Sequence, residues 1–254
     1  MITPRDRLLL EMTAEHRLIL PAHAQALLGV SYSAAMSRLR SLSSGGYLAA
    51  RRVFAGAPAS YQITGPGLAV IQSSLPRPQL DLRAYAHDVG VAWLWLAAQG
   101  GTFGPLAQIV SERTMRSQDG RREADSTIEP FGVRLGGAGP MGRERLHYPD
   151  LLLVTPDGRR IALELELSAK GSARREKILA GYGSDPRIAA VLYLVEQPGL
   201  AKTIQASARR LGISHLVHVQ WVRQPVGPGV GRGAEMQRSP VGRAGAPTVT
   251  GREP

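Results

Sequence analysis

Between His147 and Lys170 the chain reads HYPDLLLVTPDGRRIALELELSAK, and its turn chemistry predicts a hairpin that gathers three carboxylates into one patch. Thr155-Pro156-Asp157-Gly158 sets a proline at the first corner of a type I turn and supplies a glycine for the left-handed residue that follows. With Thr155 paired to Arg159, counting outward pairs Leu152 with Ala162 and Asp150 with Glu164, whose β-carbons should lie roughly 5 Å apart. Strand alternation puts Ala162, Glu164, Glu166 and Ser168 on one face and Ile161, Leu163, Leu165 and Leu167 on the other. Like charges opposed across strands repel and raise one another's proton affinity. A divalent cation relieves that repulsion. Mg2+ (or Mn2+) takes oxygen ligands, commonly carboxylates, water and substrate phosphate, so Asp150, Glu164 and Glu166 are candidate metal ligands for phosphodiester hydrolysis. The plainer alternative is an amphipathic strand whose glutamates face solvent, with Asp150 leading into the hairpin.

The elements around this hairpin follow from pattern. A long apolar helix is expected from about Leu80 to Gln99, with Trp93 and Trp95 packing between domains or against the sheet. His87 and Asp88 lie in that helix, but successive helical positions point in different directions, so no dyad is expected between them. Ile109-Val110 reads as a short strand, and Ser111 as a cap opening a helical turn. Glu112 in that turn is a weak candidate for an additional site acid, with a helix-dipole role as its first reading. Residues 117–146 are polar and glycine-rich and read as a mobile loop bordering the acidic patch. Ser172 is expected to cap a basic helix carrying Arg174, Arg175, Lys177 and Tyr182, followed by a strand over 189–195, a helix over 200–211 and a strand over 216–222.

Residues 4–74 read as three helices, a hairpin and a closing helix. Thr3-Pro4 starts a first helix reaching about residue 18; Pro21 and Gly29 bound a second; Ser31 or Ser33 caps a third ending near Leu42. The third helix has an apolar stripe of Ala35, Met36, Leu39 and Leu42, and a polar face of Ser33, Ser37, Arg38, Arg40 and Ser41. A strand from Tyr47 to Phe54, a Gly56-Ala57-Pro58 turn and a return over 60–64 complete the hairpin, which carries Arg51 and Arg52. This order is the winged-helix layout. Its polar face suits the major groove, and the hairpin arginines suit backbone or minor groove.

Two resemblances sharpen these expectations. SAAMSRLRSLSSGGYL resembles the recognition helix and wing start of winged-helix DNA-binding domains, and Pro149-Asp150 followed by Glu164-Leu165-Glu166 resembles the PD-(D/E)xK nuclease core. That resemblance implies Asp150 and Glu164 as the metal-holding acids, Glu166 at the family's usual lysine position, and Lys170, of the same strand parity, as a substitute catalytic or phosphate-contacting lysine. As a whole, residues 5–222 resemble the replication-relaxation family of plasmids and conjugative elements. The implied organisation is α+β: a winged helix-turn-helix over 1–74, a restriction-endonuclease-like α/β domain over 80–222, and a disordered basic tail over 223–254. The implied function is DNA binding in plasmid replication or mobilisation, with other replication or mobilisation proteins as partners. An active Mg-dependent endonuclease or nickase is the alternative, and a winged-helix transcriptional regulator is a further one.

Composition agrees with a nucleic-acid partner. The 254-residue chain is 43% hydrophobic, enough for two modest cores, and carries a formal net charge of +11, much of it arginine. Double-stranded DNA is the expected partner; Arg174, Arg175 and Lys177 add to the candidate contacts from the third helix and wing. No cysteine is present, which excludes disulfide and thiolate-metal chemistry and fits a cytoplasmic protein. Val89–Ala98, the most apolar run, is too short for a membrane span, which needs about 20 residues.

Overall fold

The computed structural model describes residues 2–122, 127–139, 144–169 and 171–222. The chain opens with α1 (Pro4–Glu15), whose first turn is closed reciprocally: Thr3 Oγ1 accepts from Asp6 N–H and Asp6 accepts from Thr3 N–H at 2.8 Å. This helix stops before residue 18, because the chain leaves it to pair with a strand; Ile19 and Tyr61 exchange both backbone hydrogen bonds at 2.9 Å. α2 (Pro21–Leu28) ends at Gly29 in the left-handed region, and α3 (Tyr32–Ser44) is capped by Ser31. β1 (Leu48–Arg51) and β2 (Ser60–Ile63) pair antiparallel, and α4 (Gly65–Val70) closes the segment. Leu9, Leu10, Ile19, Leu39, Leu42 and Tyr61 form its core. A Cβ on Gly67 would meet the Tyr47 carbonyl at 2.3 Å, so this close approach of α4 requires glycine.

The remainder builds a five-stranded mixed sheet flanked by helices. Its elements are α5 (Tyr85–Gln99), β3 (Gln108–Ser111), α6 (Glu112–Gly120), β4 (Val133–Ala138), β5 (Glu144–His147), β6 (Leu151–Val154), β7 (Arg160–Glu166), α7 (Ser172–Gly183), β8 (Ile188–Val195), α8 (Pro198–Arg210) and β9 (Val217–Trp221). Strand order is β3-β6-β7-β8-β9, antiparallel through β7 and parallel from β7 to β9. The chain is therefore a mixed α+β protein, and no helix among the described residues is long and apolar enough to cross a membrane.

The hairpin register matches the turn chemistry. Thr155 N–H donates to Arg159 O at 3.0 Å, Gly158 has φ +83°, and Leu152 pairs with Ala162. The two faces of β7 separate as alternation requires. Leu163 and Leu165 pack with Leu151, Leu153 and Val91 on the α5 side, whereas Ala162 packs with Ile178, Leu179 and Val191 on the α7 side. Trp95 touches both the α5-side core and the N-terminal core, which places it between them as expected.

Three local expectations are corrected. α5 begins at Tyr85 rather than Leu80, since Asp81 accepts from Arg83 N–H at 2.9 Å and holds a turn there. The stretch expected to be an irregular loop contains α6 through Gly120 and the β4–β5 hairpin, in which Val133 pairs with His147 and Arg134 with Leu146. Its glycines mask a short alternating pattern; Gly136 and Gly137 only supply positive φ. Gly171, not Ser172, caps α7, and no side-chain cap is made there. Lys170 and the tail from 223 onward lie outside the described residues.

Candidate functional site

Asp150 lies one residue before β6, Glu164 and Glu166 lie on β7, and all three are buried, at 9%, 2% and 6% exposure. Continuing the observed register from Leu151–Leu163 sets Asp150 beside Glu164, and Glu166 follows on the same face. The solvated-strand alternative is thereby removed. Across the sheet, Glu164 stands beside Tyr193 of β8, whose hydroxyl is pushed well above its usual pKa by burial and by Glu164, Glu166 and Asp150.

Each carboxylate of the first pair is held by donors. Asp150 Oδ2 accepts Leu165 N–H at 2.7 Å and lies 3.1 Å from His87 Nε2 of α5. Glu164 Oε1 lies 2.6 Å from His147 Nε2 at the end of β5 and accepts the buried Tyr182 hydroxyl of α7. Burial, followed by the charge of Glu164, raises Tyr182 well above its ordinary value, so it stays a donor. Burial alone would lower His87; the Asp150 carboxylate, assisted by Asp88, outweighs it and pushes the imidazole up to about 10. His87 is therefore an imidazolium at neutral pH.

Neither histidine stands out in the sequence reading. Successive helix positions pointing apart argue against a His87–Asp88 pair, yet His87 Nδ1 lies 3.8 Å from Asp88 Oδ1 and Asp88 helps raise its pKa. Its closer contact is with a carboxylate 63 residues away, which helix geometry alone does not disclose. His147 was visible only as the residue two before Pro149.

Glu112 belongs to a seam between the N-terminal helices and the sheet. Arg17, just beyond α1, donates to Glu112 at 2.8 Å and to Asp88 at 3.3 Å. Burial would raise Glu112, but Arg17 and Arg116 hold it below its ordinary value. A cavity of about 20 Å3, room for roughly one water, lies here against Arg17, His87, Asp88, Glu112 and Asp150.

The other candidate residues divide by environment. Ser33, Ser37, Arg40 and Ser41 are exposed along α3, and Arg51 and Arg52 are exposed on the hairpin. Arg38 instead turns back to α1, where it grips both oxygens of buried Asp6 and donates to Thr3 Oγ1 at 3.1 Å. On α7, Arg174 is exposed and Lys177 half-buried, whereas Arg175 is buried and donates to Ser207 Oγ at 3.2 Å. Arg38 thus ties α3 to α1, and Arg175 reaches α8 with its charge near Tyr193.

The oxygen donors of the patch suit a hard cation chemically. In this structure histidine and tyrosine engage the two principal carboxylates, and among the described residues no group of three or more His, Cys, Asp or Glu that could hold a metal ion is found. As folded, Asp150 and Glu164 are each hydrogen-bonded by the protein's own donors. Comparison with protein-family models and with curated proteins finds no match to this chain.

The raised His87 pKa gives a directional pH effect. Its contribution to stability is fully present below the unfolded histidine value of 6.5 and is lost as pH rises through about 10. Denaturant unfolding from pH 6.5 to 10 should show stability falling with pH, and His87→Gln should flatten that limb; parallel curves for both proteins would contradict the ion pair.

Proposed function

We propose that this chain is a double-stranded-DNA-binding protein whose N-terminal helices and hairpin form a winged helix-turn-helix. One observation carries the reading: α3 buries Ala35, Leu39 and Leu42 while leaving Ser33, Ser37, Arg40 and Ser41 exposed beside Arg51 and Arg52. Small hydroxyls and an arginine let a helix approach base edges closely, and flanking arginines meet phosphates. The net charge of +11 favours the same polyanion. The resemblance of the SRLRSLSSGGYL and ELELSAK segments extends the proposal to the replication-relaxation family, and so to replication or mobilisation of a plasmid or other mobile element.

Fluorescence anisotropy with duplex DNA over a salt series tests the reading. Arg40→Ala and the double variant Arg51→Ala/Arg52→Ala should weaken binding and reduce the salt slope by about 1 for each phosphate contact removed. Arg38→Ala should leave the slope unchanged, because Arg38 is committed to Asp6. Unchanged affinity and slope in the first two variants would refute DNA contact by this face.

A second reading, a Mg- or Mn-dependent endonuclease or nickase of PD-(D/E)xK type, is favoured by the adjacency of Asp150 and Glu164 with Glu166 on the same face. The donors already engaged on both carboxylates count against it. Supercoiled plasmid incubated with either ion should remain intact under the first reading. Nicking or linearisation by the native chain, abolished in both Asp150→Ala and Glu164→Ala, would establish the second.

A further inference from the structure

Four consecutive residues at the end of α1 all engage the sheet side of the molecule. Ala14 O accepts from Arg113 Nε at 2.8 Å; Glu15 accepts from Ser111 Oγ at 2.5 Å and Thr114 Oγ1 at 2.7 Å; His16 meets Trp95 edge-on at 5.7 Å; Arg17 reaches Asp88 and Glu112. Docking of two units needs some contact, but Arg17 does more than bridge them. Its guanidinium forks onto the two residues that flank Asp150 from different elements. Along one branch, Asp88 abuts His87, and His87 Nε2 faces Asp150 Oδ2 at 3.1 Å. Along the other, Glu112 N–H donates to the Asp150 carbonyl at 3.2 Å, fixing the backbone of the same residue.

The charges make the fork necessary. Asp88 is 4% exposed and its Oδ2 makes no hydrogen bond among the described residues, while Arg17 and His87 share its Oδ1. Without the guanidinium, Asp88 would have His87 in contact and the charge of Arg113 farther off, and would compete with Asp150 for His87. Glu112 would keep its bond from Arg116, at 2.7 Å on the exposed side, and the charge of Arg113. A lysine could not replace the fork, because one ammonium lacks the planar, divergent donors that reach two carboxylates at once.

We propose that Arg17 is a positioning residue for the Asp150 carboxylate, so that the acid patch is a composite site completed by the N-terminal helices. The inference concerns the geometry of the Asp150–Glu164 patch and is independent of whether that patch cleaves DNA. By the same contacts, the N-terminal helices that carry the exposed α3 face reach the patch through Arg17, which bonds Asp88, the neighbour of His87. The N-terminal helices would then set both where nucleic acid sits and how Asp150 is presented.

The test uses the full chain with 15N-labelled histidine, comparing native protein with Arg17→Ala and Arg17→Lys. His87 ring-nitrogen signals, assigned with His87→Gln, are recorded at pH 7 alongside hydrogen exchange of the Leu165 amide, which donates to Asp150 Oδ2. In Arg17→Ala the His87 signals should move, and Leu165 should exchange about tenfold faster while the Ile178 and Leu192 amides keep their native rates. Arg17→Lys should lie between the other two. Native-like His87 signals and Leu165 exchange in Arg17→Ala would overturn the proposal. Equal acceleration at Leu165, Ile178 and Leu192 would also overturn it, since that marks general loosening. Neither readout involves DNA or cleavage, so failure here is distinct from failure of the functional reading.

Discussion

Two carboxylates buried side by side on neighbouring strands set the terms for the rest of this protein. Repulsion between them cannot be screened by water, so positive charge or strong donors must be brought to the sheet from elsewhere. The fold supplies them from several directions: His87 from α5, His147 from β5, Tyr182 from α7, and the Leu165 amide from β7 itself. Elements far apart in sequence are thereby committed to one point. The β4–β5 hairpin, otherwise a small two-stranded appendage, has its place fixed partly by His147 and partly by close packing on α7, where a Cβ on Gly181 would come within 3.0 Å of Arg134 O.

The same economy of charge extends to the seam with the N-terminal helices. Arg17, Asp88 and Glu112 alternate in sign, and His87 joins this chain to Asp150. His16 beside them is held at about 3 by burial and by Arg113 and Arg17, so it adds no further positive charge at neutral pH. Paired charges at a seam contribute more to fixing geometry than to net stability, since desolvation offsets much of their attraction. Here the geometry they fix is the disposition of a basic helical face relative to an acid patch.

Local rules made much of this architecture readable. Pro156 and Gly158 determined the hairpin register, and with it the adjacency of Asp150 and Glu164; Thr3-Pro4, Gly29 and Ser31 marked the boundaries of the first three helices. What stayed hidden depends on long-range contact. Arg38 and Arg175 look like solvated cations on basic helices, whereas packed neighbours, Asp6 and Ser207 among them, turn them inward. His87 gave no signal because its partner lies across the fold. The β4–β5 pair was obscured by glycines that break alternation exactly where the chain bulges, and residues 140–143 between its strands lie outside the described structure.

The central claim is that the acid patch is neutralised from within, with His87 as the counter-charge to Asp150. A double-mutant cycle by denaturant unfolding at pH 7, built from His87→Gln, Asp150→Asn and the combined variant, measures that pairing directly. The account predicts a favourable coupling of at least about 1 kcal/mol, within the range for residues in one ion-pair network. Additivity of the two substitutions to within about 0.3 kcal/mol would contradict it.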